Sequence, residues 1–278
     1  MSSEIPLLDS GHLAILGGGV MGSAICRGVL SRALATPKQI VVADPDPSQR
    51  ARLHSSEEVR VVAAAGDALP GAAMVVLAVK PQMYPAVSAA IEGRIPEEAL
   101  VISIMAGISL DRMRTDLGHD AVVRAMPNAA ARVLQSASVW IAAPGVREEQ
   151  RLQAERLLGA LGDAVEVCEE GLLDLATGLS GPGPAYLSLV AEALIEGGVA
   201  AGFSRALAQR LVNQTFVGTA ALLSEPGAHP ALVRESVTSP GGTTAAGLQA
   251  LERAAVRAAF VDAVQAARRR SQELGGSR

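Results

Sequence analysis

Two rhythms of apolar residues run along this chain, and one gives way to the other near residue 170. Before that point short apolar runs alternate with stretches of helical spacing. Strands are predicted at 13–16, 40–43, 74–79, 99–104, 121–125, 139–142 and 165–167. Several of these runs are apolar at every position, the pattern of parallel strands covered by helices on both faces. Strands alternating with helices predict a doubly wound sheet.

After Leu172 the strand-like runs stop. Leu187, Val190, Ala191, Leu194 and Ile195 recur at helical spacing, as do Val212, Phe216, Ala220 and Leu223 in a segment that Ser204 can cap. Val256, Phe260, Val264 and Ala267 make a last amphipathic stripe. Glycine and proline punctuate these segments at 181–184, 197–198, 226–230 and 240–242. The expected architecture is an α/β domain over residues 1–168 followed by an all-helical C-terminal domain over 169–278.

Composition narrows the class. The 278 residues suffice for two domains of ordinary size, and 49% hydrophobic against 19% charged residues supplies a substantial core. Aromatic residues are only 2%, so that core must be built from Ala, Val and Leu. A net charge of −4 argues against a nucleic-acid partner. The run Arg268-Arg269-Arg270 reads as cations in the last turn of a terminal helix. Cys26 and Cys168 show no metal spacing and His12, His54, His119 and His229 are scattered, so no metal site is expected. The opening MSSEIPLLDSG lacks the features of a signal peptide, and no apolar run reaches the length of a membrane span. A cytoplasmic protein without a membrane partner is expected.

The first strand leads into LAILGGGVMGSAI, where Gly17, Gly19 and Gly22 have G-x-G-x-x-G spacing. In a Rossmann-type unit the first glycine allows a tight turn and the second lets pyrophosphate approach the backbone. The third lets the helix pack closely on the strand. The next strand ends in Asp44, roughly 20 residues further on, where a carboxylate can bind the ribose hydroxyls of a dinucleotide. Asp44 tips the cofactor toward NADH over NADPH. Against that, Asp44-Pro45-Asp46-Pro47 is also ordinary turn chemistry, and Arg50 or Arg52 could accept a phosphate. Within AVKPQ, Lys80 either points toward the cofactor cleft or is an exposed loop lysine. Asn128, in Met126-Pro127-Asn128, either hydrogen-bonds nicotinamide or ribose or stabilises a turn.

The segment SVTSPGGTTAAGLQALE raises a further chemistry. Pro240 biases Ser239 toward an extended conformation, and Gly241 and Gly242 clear side chains from the approach. Thr243 and Thr244 then open a helix whose free N–H groups suit a small carboxylate, beside hydroxyls able to donate to a nitrogen. An interhelix turn with a threonine cap would look the same. The dinucleotide domain ahead of it favours a carboxylate-bearing substrate.

These motifs together resemble the pyrroline-5-carboxylate reductase family. The resemblance runs nearly end to end, through the loop at 17–22 with Met21, Ala78-Val79-Lys80-Pro81-Gln82 and Met126-Pro127-Asn128. It continues through Ser180-Gly181 with Gly183-Pro184-Ala185-Tyr186 and then 238–244, the most specific of them. It implies a Rossmann domain and a helical domain through which subunits dimerise, often assembling further. It implies NADPH or NADH as cofactor, bound by Gly17, Gly19, Val20, Met21, Gly22, Asp44, Ala78, Lys80, Pro81 and Asn128. Ser239, Gly242 and Thr243 would hold the carboxylate of a cyclic imino acid. Thr244 would bond the ring nitrogen while hydride reaches C5, giving L-proline.

Three positions depart from the family pattern: Val20 in the glycine loop, Ala129-Ala130 after Met-Pro-Asn, and Pro182 in the Ser-Gly-x-Gly-Pro motif. The alternatives are a reductase of another cyclic imine and a non-catalytic dinucleotide-binding paralogue. A hydroxyacid dehydrogenase relying on a lysine in the helical domain is disfavoured, because no lysine follows Lys80.

Overall fold

Four of the five residues of HLAIL are buried, and this apolar run forms β1 (His12–Leu16) in the interior of an eight-stranded sheet. The computed structural model describes residues 7–8 and 10–276. The other strands are β2 (Ile40–Ala43), β3 (Arg60–Val62), β4 (Ala72–Leu77), β5 (Leu100–Ser103), β6 (Val122–Met126), β7 (Ser136–Ala142) and β8 (Gly162–Glu166). Their order is β3-β2-β1-β4-β5-β6-β7-β8. Strands β2 and β5 are buried at every position, as strands covered on both faces must be. Each fully buried Val, Leu or Ile there contributes about 1.5–3 kcal/mol of transfer free energy.

Order and direction follow from the connections. Helices α1 (Val20–Ser31), α2 (Pro47–Glu57), α3 (Tyr84–Ile91), α4 (Leu110–Leu117), α5 (Glu148–Gly159) and α6 (Gly171–Leu179) are interleaved with or follow the strands. Pairing is parallel throughout except between β6 and β7. Only residues 127–135 separate those two strands, too few for a crossover helix, so they run antiparallel.

Strand β3 lies outside the strands that the apolar pattern predicts. Its neighbours Glu57 and Glu58 and its exposed Arg60 interrupt the apolar run, and it lies at the sheet edge where one strand face need not be buried. Strand β7 begins before the expected residue 139, because two buried serines extend it. The Ser136 and Ser138 hydroxyls lie 3.2 Å apart, and the Ser136 oxygen also accepts the Asn128 N–H at 3.0 Å.

The chain divides into two compact units, Met1–Pro182 with Ala267–Arg278, and Gly183–Ala266. The sequence boundary at 168/169 and this one at 182/183 enclose α6 between them. Gly178 of α6 lies so close to the returning chain that a Cβ there would meet the Arg268 nitrogen at 3.0 Å.

Residues 183–266 contain α7 (Gly183–Ala200), α8 (Arg205–Leu223), α9 (Pro230–Ser236), α10 (Thr243–Arg253) and the first part of α11 (Val256–Gly276). Ser204 caps α8, accepting the Leu207 N–H at 3.3 Å. Ala208 is the one buried residue among those described in this unit. Leu187, Leu189, Leu194, Leu211, Val217 and Val261 are all exposed, so these helices carry apolar stripes without a core of their own. Among the described residues no helix is long and apolar enough to cross a membrane.

Candidate functional site

The turn from β1 into α1 is dictated by its glycines. Gly17 has φ +106, and a Cβ there would sit 2.6 Å from the Ala78 oxygen. A Cβ on Gly22 would overlap the Gly17 carbonyl oxygen, so the first turn of α1 can lie against the strand end only without one. Gly19 differs from both: a Cβ there would meet nothing within 4 Å. Nothing in the protein fills that side, and this is where the backbone can admit a ligand. Ser23 is the first residue of the helix whose N–H finds an internal partner, the Gly19 oxygen at 2.9 Å. The Val20, Met21 and Gly22 N–H groups have no such bond among the described residues and form an anion-binding helix start.

The cleft in front of them has a volume of about 680 Å³, with Gly19, Val20, Ser23, Arg27, Arg52 and Lys80 in its walls. Ala129, Arg132 and Val133 close another side. Four cations and no carboxylate line this space, an electrostatic setting for a diphosphate. Lys80, the N-cap residue of the 3₁₀ turn Pro81–Met83, is thus in the wall of the cleft.

Asp44 and Arg52 brace the loop. Asp44 Oδ2 accepts the Gly18 N–H at 2.7 Å, and its Oδ1 accepts the Asp46 N–H at 2.9 Å. From the other side Arg52 donates to the Gly18 carbonyl at 3.1 Å and to the Ser23 hydroxyl at 2.7 Å. Arg50, the other phosphate candidate, donates to the backbone oxygens of Asp44 and Pro45, both at 2.8 Å. Asp46 caps α2 through the Ser48 N–H at 2.8 Å, and the hydrogen bonds from Ser48 hold its carboxyl below the usual range.

Across β1 lie the ends of β4 and β5. The Ala78 N–H donates to the Leu16 oxygen at 2.8 Å, which keeps the segment from Ala78 to Pro81 beside the glycine loop. Beyond it is a cavity of about 270 Å³ lined by Pro81, Gln82, Ala106, Gly107, Ile108, Thr177 and Ser271. The strand order places β2 and Asp44 on one side of β1 and this cavity on the other. That is the switch point of an open α/β sheet, the position where ligands bind in such folds.

Asn128 has an internal role. Its Oδ1 accepts the Ala130 N–H at 3.1 Å and its Nδ2 donates to the Ser180 carbonyl at 3.0 Å. Of the two roles open in the sequence, these bonds are those of a turn and a tie to the end of α6. Three residues that sequence reasoning did not single out stand nearby: Arg124 on β6, and Glu170 and Asp174 at the start of α6. An arginine within the apolar run VVRAM was the available signal, since a buried guanidinium demands carboxylates.

In the second unit, 238–244 forms the approach to α10. Gly241 has φ +68, and a Cβ on Gly242 would collide with the Ser239 hydroxyl. Gly242 is the N-cap, and Ala246 is the first residue whose N–H returns to it, at 3.2 Å. Among the described residues no hydrogen bond engages the Thr243, Thr244 and Ala245 N–H groups or the two threonine hydroxyls. The turn therefore presents donors at a helix N-terminus, and Thr243 and Thr244 do not cap it. Ser239, Gly242, Thr243 and Thr244 lie together here, apart in sequence from the glycine loop. Among the described residues no cluster of His, Cys, Asp and Glu could hold a metal ion.

Comparison with known proteins agrees in both halves of the chain. A family model described as pyrroline-5-carboxylate reductase dimerisation matches residues 170–274, and one described as NADP oxidoreductase, coenzyme F420-dependent, matches 12–107. The pyrroline-5-carboxylate reductase of Synechocystis sp. is 44% identical over 264 residues, covering 95% of this chain and 98% of its own. Among solved structures, a pyrroline-5-carboxylate reductase from Coxiella burnetii superposes with a TM-score of 0.88 at 30% identity, covering 97% of this chain and 100% of its own. The pyrroline carboxylate reductase of Plasmodium falciparum, solved with NADP bound, gives a TM-score of 0.85 at 26% identity, with coverage of 96% and 98%.

Proposed function

Because this chain belongs to the pyrroline-5-carboxylate reductase family, we propose a division of labour among its residues in the reaction. The protein is an NAD(P)H-dependent oxidoreductase that reduces 1-pyrroline-5-carboxylate to L-proline. The observation that carries the proposed site is the open side of Gly19, flanked by two glycines that are packed shut and faced by a cationic cleft.

In this reading Gly17, Gly19, Val20, Met21 and Gly22 hold the cofactor diphosphate, with Lys80 and Arg52 beside it. Asp44 and the adjoining turn take the adenosine ribose. The carboxylates of Asp44 and Asp46 at that end support NADH, whereas Arg52 leaves NADPH a cation to meet. Ala78 and Pro81 lead to the cavity at 106–108, which takes the nicotinamide. Asn128 contributes by holding its turn to α6.

Ser239, Gly242 and Thr243, with the N–H groups that open α10, bind the substrate carboxylate. Thr244 donates to or orients the ring nitrogen. A bound nicotinamide would supply the hydride that the imine carbon, C5, accepts as the C=N bond becomes C–N. A proton from solvent completes the amine, so the site needs no strong acid or base; its contribution is orientation.

Residues 1–168 form the cofactor domain, and 169–278 the substrate and dimerisation domain. The bare apolar stripes of α7 and α8 support a homodimer through the helical region. Two free cysteines, one of them exposed, suit a cytoplasmic location.

The test is oxidation of NADH and NADPH, in parallel, by the purified protein with 1-pyrroline-5-carboxylate. Thr244→Ala should lower kcat by roughly tenfold to a hundredfold with little change in cofactor affinity. Wild-type kcat in that variant would remove Thr244 from the site. A clear preference for NADPH would transfer the decision from Asp44 to the cations.

A further inference from the structure

Arg124 stands within β6 with its side chain only 6% exposed, and its guanidinium donates to Glu170 at 2.7 Å and to Asp174 at 3.1 Å. A buried guanidinium is tolerable only with such partners, because loss of one leaves charge uncompensated. The same Glu170 oxygen also accepts the Leu110 N–H at 2.9 Å, the first N–H of α4. One carboxylate therefore joins three segments: β6, the N-terminus of α6 and the start of α4. Two of these segments carry the walls of the 270 Å³ cavity. Ala106, Gly107 and Ile108 directly precede the Ser109 cap of α4, and Thr177 stands about two turns along α6 from Glu170.

We propose that Glu170 is a positioning residue for the nicotinamide end of the site: it ties the 106–108 loop to α6 and so fixes the width of the slot between them. The proposal rests on the reading of that cavity as the nicotinamide slot. Asp174 is the internal control. It shares the Arg124 guanidinium but is not bonded to Leu110. If the cluster served only to hold α6 on the sheet, losing either carboxylate would have the same consequence. If Glu170 sets the slot, only its loss frees the loop.

The experiment compares the Kd of the intact protein for NADH with that for ADP-ribose, which lacks the nicotinamide, alongside thermal melting. Ala106→Leu, which fills the slot directly, should raise the NADH to ADP-ribose ratio of Kd values by roughly tenfold. Glu170→Ala should raise it by a similar factor. Glu170→Gln, which keeps an oxygen for the Leu110 N–H, should return it close to wild type. Asp174→Ala should leave the ratio within about twofold even where melting temperature falls. Should Glu170→Ala not fold, Glu170→Asp takes its place: a negative charge remains near Arg124 while the shorter chain withdraws the shared oxygen from Leu110, and the ratio should still rise. Equal shifts in the Glu170 and Asp174 variants overturn the proposal. So does an unchanged ratio in the Glu170 variants when Ala106→Leu moves it. An unchanged ratio in Ala106→Leu as well removes the nicotinamide slot, and the proposal with it.

Discussion

Replacing Gly19 by Ala separates the cofactor cradle from the fold that carries it. Gly19 has φ −65, which alanine adopts without strain, and its Cβ would meet nothing within 4 Å. Alanine there gains about 0.4–1 kcal/mol from the restricted unfolded chain. It loses a comparable few tenths to 1 kcal/mol as an N-cap residue poorer than glycine. Net stability should therefore stay within about 0.5 kcal/mol of wild type. The methyl group nonetheless enters the cleft beside the free N–H groups of α1. Displacing a diphosphate oxygen from one of them removes a charge-assisted hydrogen bond of about 1.5–3 kcal/mol, or roughly a tenfold to hundredfold loss in cofactor affinity. Gly22→Ala should do the reverse. Its methyl overlaps the Gly17 carbonyl, an overpacking cost of about 1–3 kcal/mol or more, so melting temperature should fall by several degrees. Melting curves and Kd values for NADH, measured on both variants, decide the matter. The steric argument fails if Gly19→Ala binds cofactor within about twofold of wild type, or if Gly22→Ala melts as the wild type does.

The same geometry carries other expectations. Arg52→Met releases the Gly18 carbonyl and should raise KM for NADH and NADPH alike, by roughly threefold to tenfold; a loss confined to NADPH would make Arg52 a 2′-phosphate ligand instead. Burial pushes the Cys26 thiol up from 9.0 to about 12, so a thiol reagent should label exposed Cys168 alone in the folded protein. The raised value also fixes a sign: the Cys26 contribution to stability is intact below pH 9.0 and is lost as pH rises toward about 12, because the unfolded thiol ionises first. A Cys26→Ala variant whose alkaline unfolding matches wild type would contradict that. Leu187→Glu with Leu194→Glu places charge on the exposed stripe of α7 and should shift the solution mass, measured by sedimentation, toward the monomer; an unchanged mass would put the interface elsewhere.

The fold was legible wherever burial on both faces left an unbroken apolar run. β2 at 40–43 matches the predicted strand, and β1 and β5 fall within a residue or two at each end. Legibility failed where other forces set the element. β3 is short and charged at the sheet edge, so pairing with β2 rather than hydrophobic pattern defines it. The serine-bearing start of β7 is held by hydrogen bonds that composition cannot reveal. Of the helices after 183, α7, α8 and α11 were readable from their stripes and α10 from the turn that opens it, whereas α9 has no stripe to read. Their exposure was not, because amphipathic spacing says that a face is covered and leaves open what covers it.

The site divides along the same line. The glycine loop was readable because its spacing is a steric statement about local chain geometry, and the structure assigns each glycine a distinct reason. The roles of Asp44 and Asn128 were underdetermined, since a short polar side chain at a strand end can face a ligand or its own backbone. Here both make backbone bonds. The Glu170 cluster was invisible for another reason: its bonds to Arg124 and Leu110 span 46 and 60 residues, and only strand order brings those positions together. Yet two local anomalies announced it. An arginine interrupts an otherwise apolar strand, and Glu170 and Asp174 stand four apart, on one face of the helix that follows β8. A buried cation requires acids; Asp120, the nearest to Arg124 in sequence, pairs with Arg114 instead, and a pair of acids at helical spacing is the partner Arg124 can use twice. Pairing such anomalies before any topology is known would have linked β6 to α6, and with it the loop that α6 walls in.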